Sequence, residues 1–241
     1  MRATSLIASV TLAAVLCELC GCAAPAGTEQ PGSAAEGVQR ERIEWCDIWV
    51  TDADKDRLPR VLLIGDSITR GYFQGVEKRL EGKASCARVT TSKCIGDPGL
   101  LPEVELLLDQ YRFDVVHVNN GMHGWSYSEE QYGKALGPFM QAIIKQGRGA
   151  RVIWAHTTPV MSDGSADNKQ TQRVKARNAM AAAFAAEHNI PIDDLFTPVV
   201  QHPEYFSADG VHLSSKGIEI QAAQVADCVL KALEGAEQKG Q

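Results

Sequence analysis

Two short stretches of this chain carry residue types that, brought together, perform acyl-transfer chemistry. Gly65-Asp66-Ser67 offers a hydroxyl, and Asp209-Gly210-Val211-His212 offers an imidazole with a carboxylate three residues before it. A serine hydroxyl is a weak nucleophile at its free pKa and needs a histidine to take its proton. The histidine needs a carboxylate to hold its tautomer and to stabilise the imidazolium. Asp209 and His212 supply both functions from one loop. From average residue frequencies, Gly-Asp-Ser arises roughly 0.06 times in a chain of this length and Asp-x-x-His roughly 0.3 times. Neither stretch decides the matter alone, so the weight falls on where each sits among strands and helices.

Arg60 to Gly65 is a short apolar run bounded by charge and glycine, the pattern of a buried parallel strand. Similar runs occupy 87–90, 114–118, 151–155 and 190–192, and helical periodicity fills 101–111, 129–146, 170–188 and 216–233. This alternation predicts a mostly parallel sheet covered on both faces. Sites in such sheets form beyond the carboxyl ends of the strands. Ser67 follows the first run, and Asp209 and His212 precede the last helix, so both stretches reach that edge. A strand-to-helix turn also presents backbone N–H groups to developing negative charge. Ser67 as a mere helix cap is the plainer reading, and its pairing with Asp209 and His212 outweighs it. Asn119 to Trp125 and His156-Thr157-Thr158 follow other strands and border the same edge. His117 alternates with core residues and reads as a hydrogen-bonded core histidine. Asp66 is expected to bond neighbouring loops, and Trp125 and Tyr127 either stack on a sugar ring or pack their own loop down.

On Gly65-Asp66-Ser67-Ile68 and Asp209-x-x-His212 the chain resembles the GDSL/SGNH hydrolase family of serine esterases, and the resemblance spans essentially the whole folded part. It implies an α/β fold, a three-layer α/β/α, flavodoxin-like parallel sheet in a single domain. It implies Ser67 as nucleophile, His212 as base and Asp209 as the orienter of His212, with no cofactor. It further implies oxyanion donors from the Ser67 N–H, a second-block glycine and a third-block asparagine. Here the second block is indistinct, with Gly96 and Gly99 both candidates. The third block reads Gly121-Met122-His123-Gly124 where the family has Gly-x-Asn-Asp. His123 therefore stands in the asparagine's place, with Asn120 or Asn119 just upstream as alternative donors.

The 241 residues are 44% hydrophobic and 22% charged, which excludes a disordered chain, a collagen-like repeat and a polytopic membrane protein. A net charge of −6 without a basic stripe argues against nucleic-acid binding. The six histidines show no metal-binding spacing, so no metal is expected. Residues 1–21 read as an export signal, and Leu19-Cys20-Gly21-Cys22 resembles the lipobox of bacterial lipoproteins. That resemblance implies acylation of Cys22 and a protein held at the membrane surface of the bacterial cell envelope by lipid alone. Residues 22–42 are expected to be a flexible tether, 43–235 the domain and 236–241 a tail. The four remaining cysteines, Cys46, Cys86, Cys94 and Cys228, predict two disulfides in an exported chain, Cys86–Cys94 and Cys46–Cys228 being favoured. A structural zinc site is the rival, with poor spacing for it.

The expected function is an exported, lipid-anchored serine esterase that hydrolyses short acyl esters, such as O-acetyl groups on carbohydrate. Its partner is then a small ester or an acylated carbohydrate. A lipase, lysophospholipase or thioesterase of the same family would need a large apolar acyl groove, and an acyltransferase would need to exclude water. A surface carbohydrate-binding protein without turnover is the rival from a different class, favoured only by the altered third block.

Overall fold

The computed structural model describes residues 37–237. The export signal, Cys22 and the last residues of the tail lie outside the described residues. In chain order the elements are β1 (Cys46–Val50), β2 (Arg60–Gly65), α1 (Ser67–Arg79), β3 (Ser85–Thr91), α2 (Leu100–Leu108), β4 (Val115–Asn119), α3 (Glu129–Gln146), β5 (Arg151–Ala155), α4 (Lys169–Glu187), β6 (Ile192–Asp193) and α5 (Ser215–Glu237).

Every residue of β2 is buried, as its unbroken apolar run requires of a central strand. The strands form one sheet in the order β1-β3-β2-β4-β5-β6. β2 pairs in parallel with β3 on one side and β4 on the other, and β5 and β6 extend the parallel run. Because successive side chains of a strand point to opposite faces, Val61 and Leu63 enter one core and Leu62 and Ile64 the other. The first core is closed by Tyr72, Phe73 and Val76 of α1 and by Val225 and Val229 of α5. The second is closed by α2, α3 and α4 through Leu107, Tyr132, Leu136, Met140 and Ala181. Each Val, Leu, Ile, Phe or Met side chain among these contributes about 1.5–3 kcal/mol on full burial. The result is the single three-layer α/β/α domain expected.

β1 lies at the sheet edge, antiparallel to β3, and no sequence pattern marked it. Its residues are exposed or half-buried, so it carries no unbroken apolar run. Residues 39–41 depart from the expected tether. The Gln39 N–H donates to the Tyr127 hydroxyl at 2.9 Å, Arg40 pairs with Asp97, and Glu41 is bonded to the loop after β4. The packed part of the chain therefore begins upstream of residue 43.

The expected disulfides are absent, since Cys46, Cys86, Cys94 and Cys228 are all free thiols. Cys86 lies near the start of β3 and Cys94 beyond its end. The strand between them from Cys86 to Thr91 alone spans about 16 Å, far past disulfide reach. Cys46 sits on the β1 edge, whereas Cys228 on α5 lies beside Ile153 of β5 and Pro191. Three strands separate β1 from β5. The described residues also hold no cluster of metal-ligating side chains.

Candidate active site

At the carboxyl end of β2 the chain turns sharply into α1. Gly65 is required there because a Cβ would run into the Thr69 side chain on the first turn of the helix. Asp66 caps α1, accepting from the Ile68 N–H at 2.9 Å. It thus bonds its own helix rather than neighbouring loops. Burial pushes its pKa up, opposed by the nearby His123 and His212 rings and by the Ile68 bond. Ser67 is the first residue of α1, where backbone N–H groups have no partner within the helix.

The loop before α5 is a tight turn closed by the Phe206–Leu213 bridge and by the Ser207 N–H donating to the His212 carbonyl at 2.8 Å. Gly210 at its apex has φ of +69°, and a Cβ there would strike the Met161 carbonyl. The loop is anchored at that point by the Met161 N–H, which donates to the Gly210 carbonyl at 2.7 Å.

The turn after β2 and the loop before α5 meet. His212 Nε2 accepts from the Ser67 hydroxyl at 2.8 Å, and His212 Nδ1 donates to Asp209 Oδ2 at 2.7 Å. Asp209 Oδ1 accepts from the N–H groups of Val211 and His212 and from the Ser207 hydroxyl, each at 2.9 Å. Desolvation raises the Asp209 pKa, but the bonds from His212, the two backbone N–H groups and Ser207 outweigh it. The carboxyl is held well below the ordinary carboxylate range. An ionised Asp209 fixes the Nδ1–H tautomer and leaves Nε2 free to take a proton from Ser67. The arrangement can therefore generate a serine nucleophile at the mouth of an open cleft of about 660 Å³.

The other predicted residues divide. His123 lines the cleft with Ser67, Asp209 and His212. Asn120, Gly96 and Gly99 do not. The Asn120 amide spends both ends on the loop after β3, accepting from the Ile95 N–H at 3.0 Å and donating to the Lys93 carbonyl at 3.0 Å. Asn119 donates to the Ala155 carbonyl. The Gly96 N–H is directed at the Cys94 thiol, and the Gly99 N–H donates to Asp97. Tyr127 packs its ring on Gly96, while Trp125 faces the cleft with Arg173 and Arg177 over its ring. His117 is a buried core histidine bonded to Asp193 at 3.0 Å, and His156 is bonded to Asp194.

Two contributions were not recognised in the sequence. Arg177 of α4 is fully buried and donates to the carbonyls of Gly121, His123 and Gly124. Arg173, one turn earlier, holds the carbonyls of Trp125 and Tyr127. The signal was available, because Val174, Arg177, Asn178, Ala181 and Ala185 form the buried stripe of α4 and an arginine in such a stripe requires acceptors. The other contribution is the N-terminal segment, whose Arg40, Glu41 and Arg42 form one wall of the cleft.

The family model described as "GDSL-like Lipase/Acylhydrolase family" matches residues 63–220. No curated protein is a significant match. Among solved structures, a GDSL-like lipase from Bacteroides thetaiotaomicron is 18% identical, with a TM-score of 0.57 over 72% of this chain and 88% of that one. An acetyl xylan esterase is 20% identical, with a TM-score of 0.58 over 70% and 99%. A carbohydrate esterase family 3 protein from Talaromyces cellulolyticus is 14% identical, with a TM-score of 0.59 over 73% and 99%.

Proposed function

The chain belongs to the GDSL-like lipase/acylhydrolase family and is an ester hydrolase of that type; from this premise we propose that it is an exported serine esterase that removes short acyl groups, acetyl foremost, from carbohydrate. The observation that carries the reading is the continuous Ser67–His212–Asp209 hydrogen-bond chain at the cleft. Ser67 Oγ attacks the ester carbonyl while His212 Nε2 takes its proton. The Ser67 N–H at the start of α1 stabilises the oxyanion. The tetrahedral intermediate collapses to an acyl-enzyme as His212 returns the proton to the departing alcohol. Water then attacks with His212 again as base, releasing the acid and restoring Ser67.

The substrate class draws support from the cleft itself. It is open to solvent and mixed in character, with Arg40, Glu41, Arg42, Gln170 and Ser126 beside Trp125, polar groups that can hydrogen-bond a hydroxylated alcohol. The names of two structural neighbours, an acetyl xylan esterase and a carbohydrate esterase, agree with it. The export-type N-terminus supports a location outside the cytoplasm, with acyl chains on Cys22 as the anchor.

The test is hydrolysis of p-nitrophenyl esters of increasing chain length by the purified protein beside Ser67→Ala. Acetate turnover that falls with chain length and disappears in Ser67→Ala is expected. Turnover that rises towards long chains would favour a lipase, and none at all from the folded protein would defeat the esterase reading.

A further inference from the structure

The cleft holds a second carboxylate–histidine pair. Glu41, from the N-terminal segment, lies 3.0 Å from His123 Nδ1 and also accepts from the Gly124 N–H at 3.0 Å. His123 sits where the family resemblance calls for an amide donor to the oxyanion. A carboxylate only accepts hydrogen bonds, so the proton of this contact belongs to Nδ1. In the neutral imidazole that leaves Nε2 with a lone pair and no hydrogen to give. Nε2 bonds to no described residue, and it is not among the buried polar atoms that lack partners. It is therefore open to the cleft that His123 lines with Ser67.

His212 is built the same way. Its Nδ1 faces Asp209, and its Nε2 accepts from the Ser67 hydroxyl. One dyad has a hydroxyl supplied by the protein, and the other faces the cleft without one. The His123 backbone is fixed for this purpose by Arg177, which holds the carbonyls of Gly121, His123 and Gly124. The arrangement is a fixed acceptor rather than a mobile surface imidazole.

We infer that His123 Nε2 accepts a hydrogen bond from a free hydroxyl on the alcohol half of the ester, with Glu41 as the positioning residue that holds the tautomer. The inference rests on the esterase reading above and narrows it to partly acylated polyols such as sugars with a hydroxyl beside the ester. It also removes His123 from the set of oxyanion donors.

The experiment compares methyl 2-O-acetyl-β-xyloside, which keeps free hydroxyls, with its 3,4-di-O-methyl ether, which has none to donate. The wild-type protein should prefer the first by about tenfold in kcat/KM, the scale of one neutral hydrogen bond. The preference should sit mainly in KM, and His123→Ala and Glu41→Gln should each collapse it towards unity. His123→Gln, whose amide oxygen also accepts, should recover part of it. Equal losses on both glycosides, of about 10²–10³ in kcat, would make His123 an oxyanion donor and overturn the inference. A wild-type protein without preference, or one that hydrolyses neither glycoside, would overturn it too. Ser67-dependent turnover of p-nitrophenyl acetate reports separately on the parent reading. Glu41 is half-buried in a mostly exposed segment outside the core, so Glu41→Gln tests the inference even if a His123 variant misfolds.

Discussion

His212 makes two bonds of opposite sense, and the carboxylate of Asp209 decides which nitrogen gives and which receives. In Asp209→Asn the amide can donate to Nδ1, which turns the ring to the tautomer unable to accept from Ser67. The expected loss is about 10²–10⁴ in kcat with little change in KM. Because the folded-state pKa of Asp209 is depressed, its stabilising contribution is complete above the ordinary aspartate pKa of about 4 and lost only as pH falls well below it. Steady-state rates at pH 8, where Asp209 is fully ionised, check the loss in Asp209→Asn. Full activity in Asp209→Asn at pH 8 would show that the carboxylate does not set the tautomer of His212. Ser67, Asp209 and His212 were legible because residue type and placement along the chain sufficed. The state of His123 was not, because its partner Glu41 lies 82 residues away in a stretch without apolar pattern.

At the scale of elements, α4 does more than cover the sheet. Its buried arginine replaces water as the partner of three carbonyls in the loop after β4, and that loop carries His123 and Trp125. Arg177→Met keeps the apolar packing against Trp125 and Tyr132 but leaves those carbonyls without donors. The expected cost is about 3 kcal/mol or more, read as a lowered urea midpoint, with a larger proportional loss of activity on acetylated sugar. An unchanged midpoint would show that water substitutes freely for the guanidinium. The strands and helices were legible wherever they fill a core, as in β2, β4 and the stripes of α3 and α5. β1 was not, since an edge strand with Trp49 and Ile48 exposed answers to its neighbour β3 and not to a periodicity of its own.

At the scale of the whole molecule, sequence reasoning assigned the ends of the chain by composition. Residues 39–41 were grouped with the tether because Ala, Gly and polar residues surround them, although long-range pairing with Asp97, Tyr127 and His123 holds them to the domain. An even count of cysteines suggested bridges, and only the sheet shows that Cys86 and Cys94 lie towards opposite ends of β3 and that Cys46 and Cys228 are strands apart. The anchor itself is tested by growing cells with labelled palmitate. Label should enter the protein and be lost in Cys22→Ser, with release of the domain from the membrane fraction, and an unlabelled wild-type protein would exclude acylation.

The hydrogen bond from Ser67 to His212 joins residues 145 positions apart, one from the first parallel strand unit and the other from the last loop of the domain. Loops of that span close late, after the local helices and neighbouring strands have formed. A chain still being synthesised thus carries its serine from early on but has no base to activate it until the final helix docks. A copy that lacks the loop before α5 has no base beside Ser67, so the nucleophile is generated only once the last helix has docked.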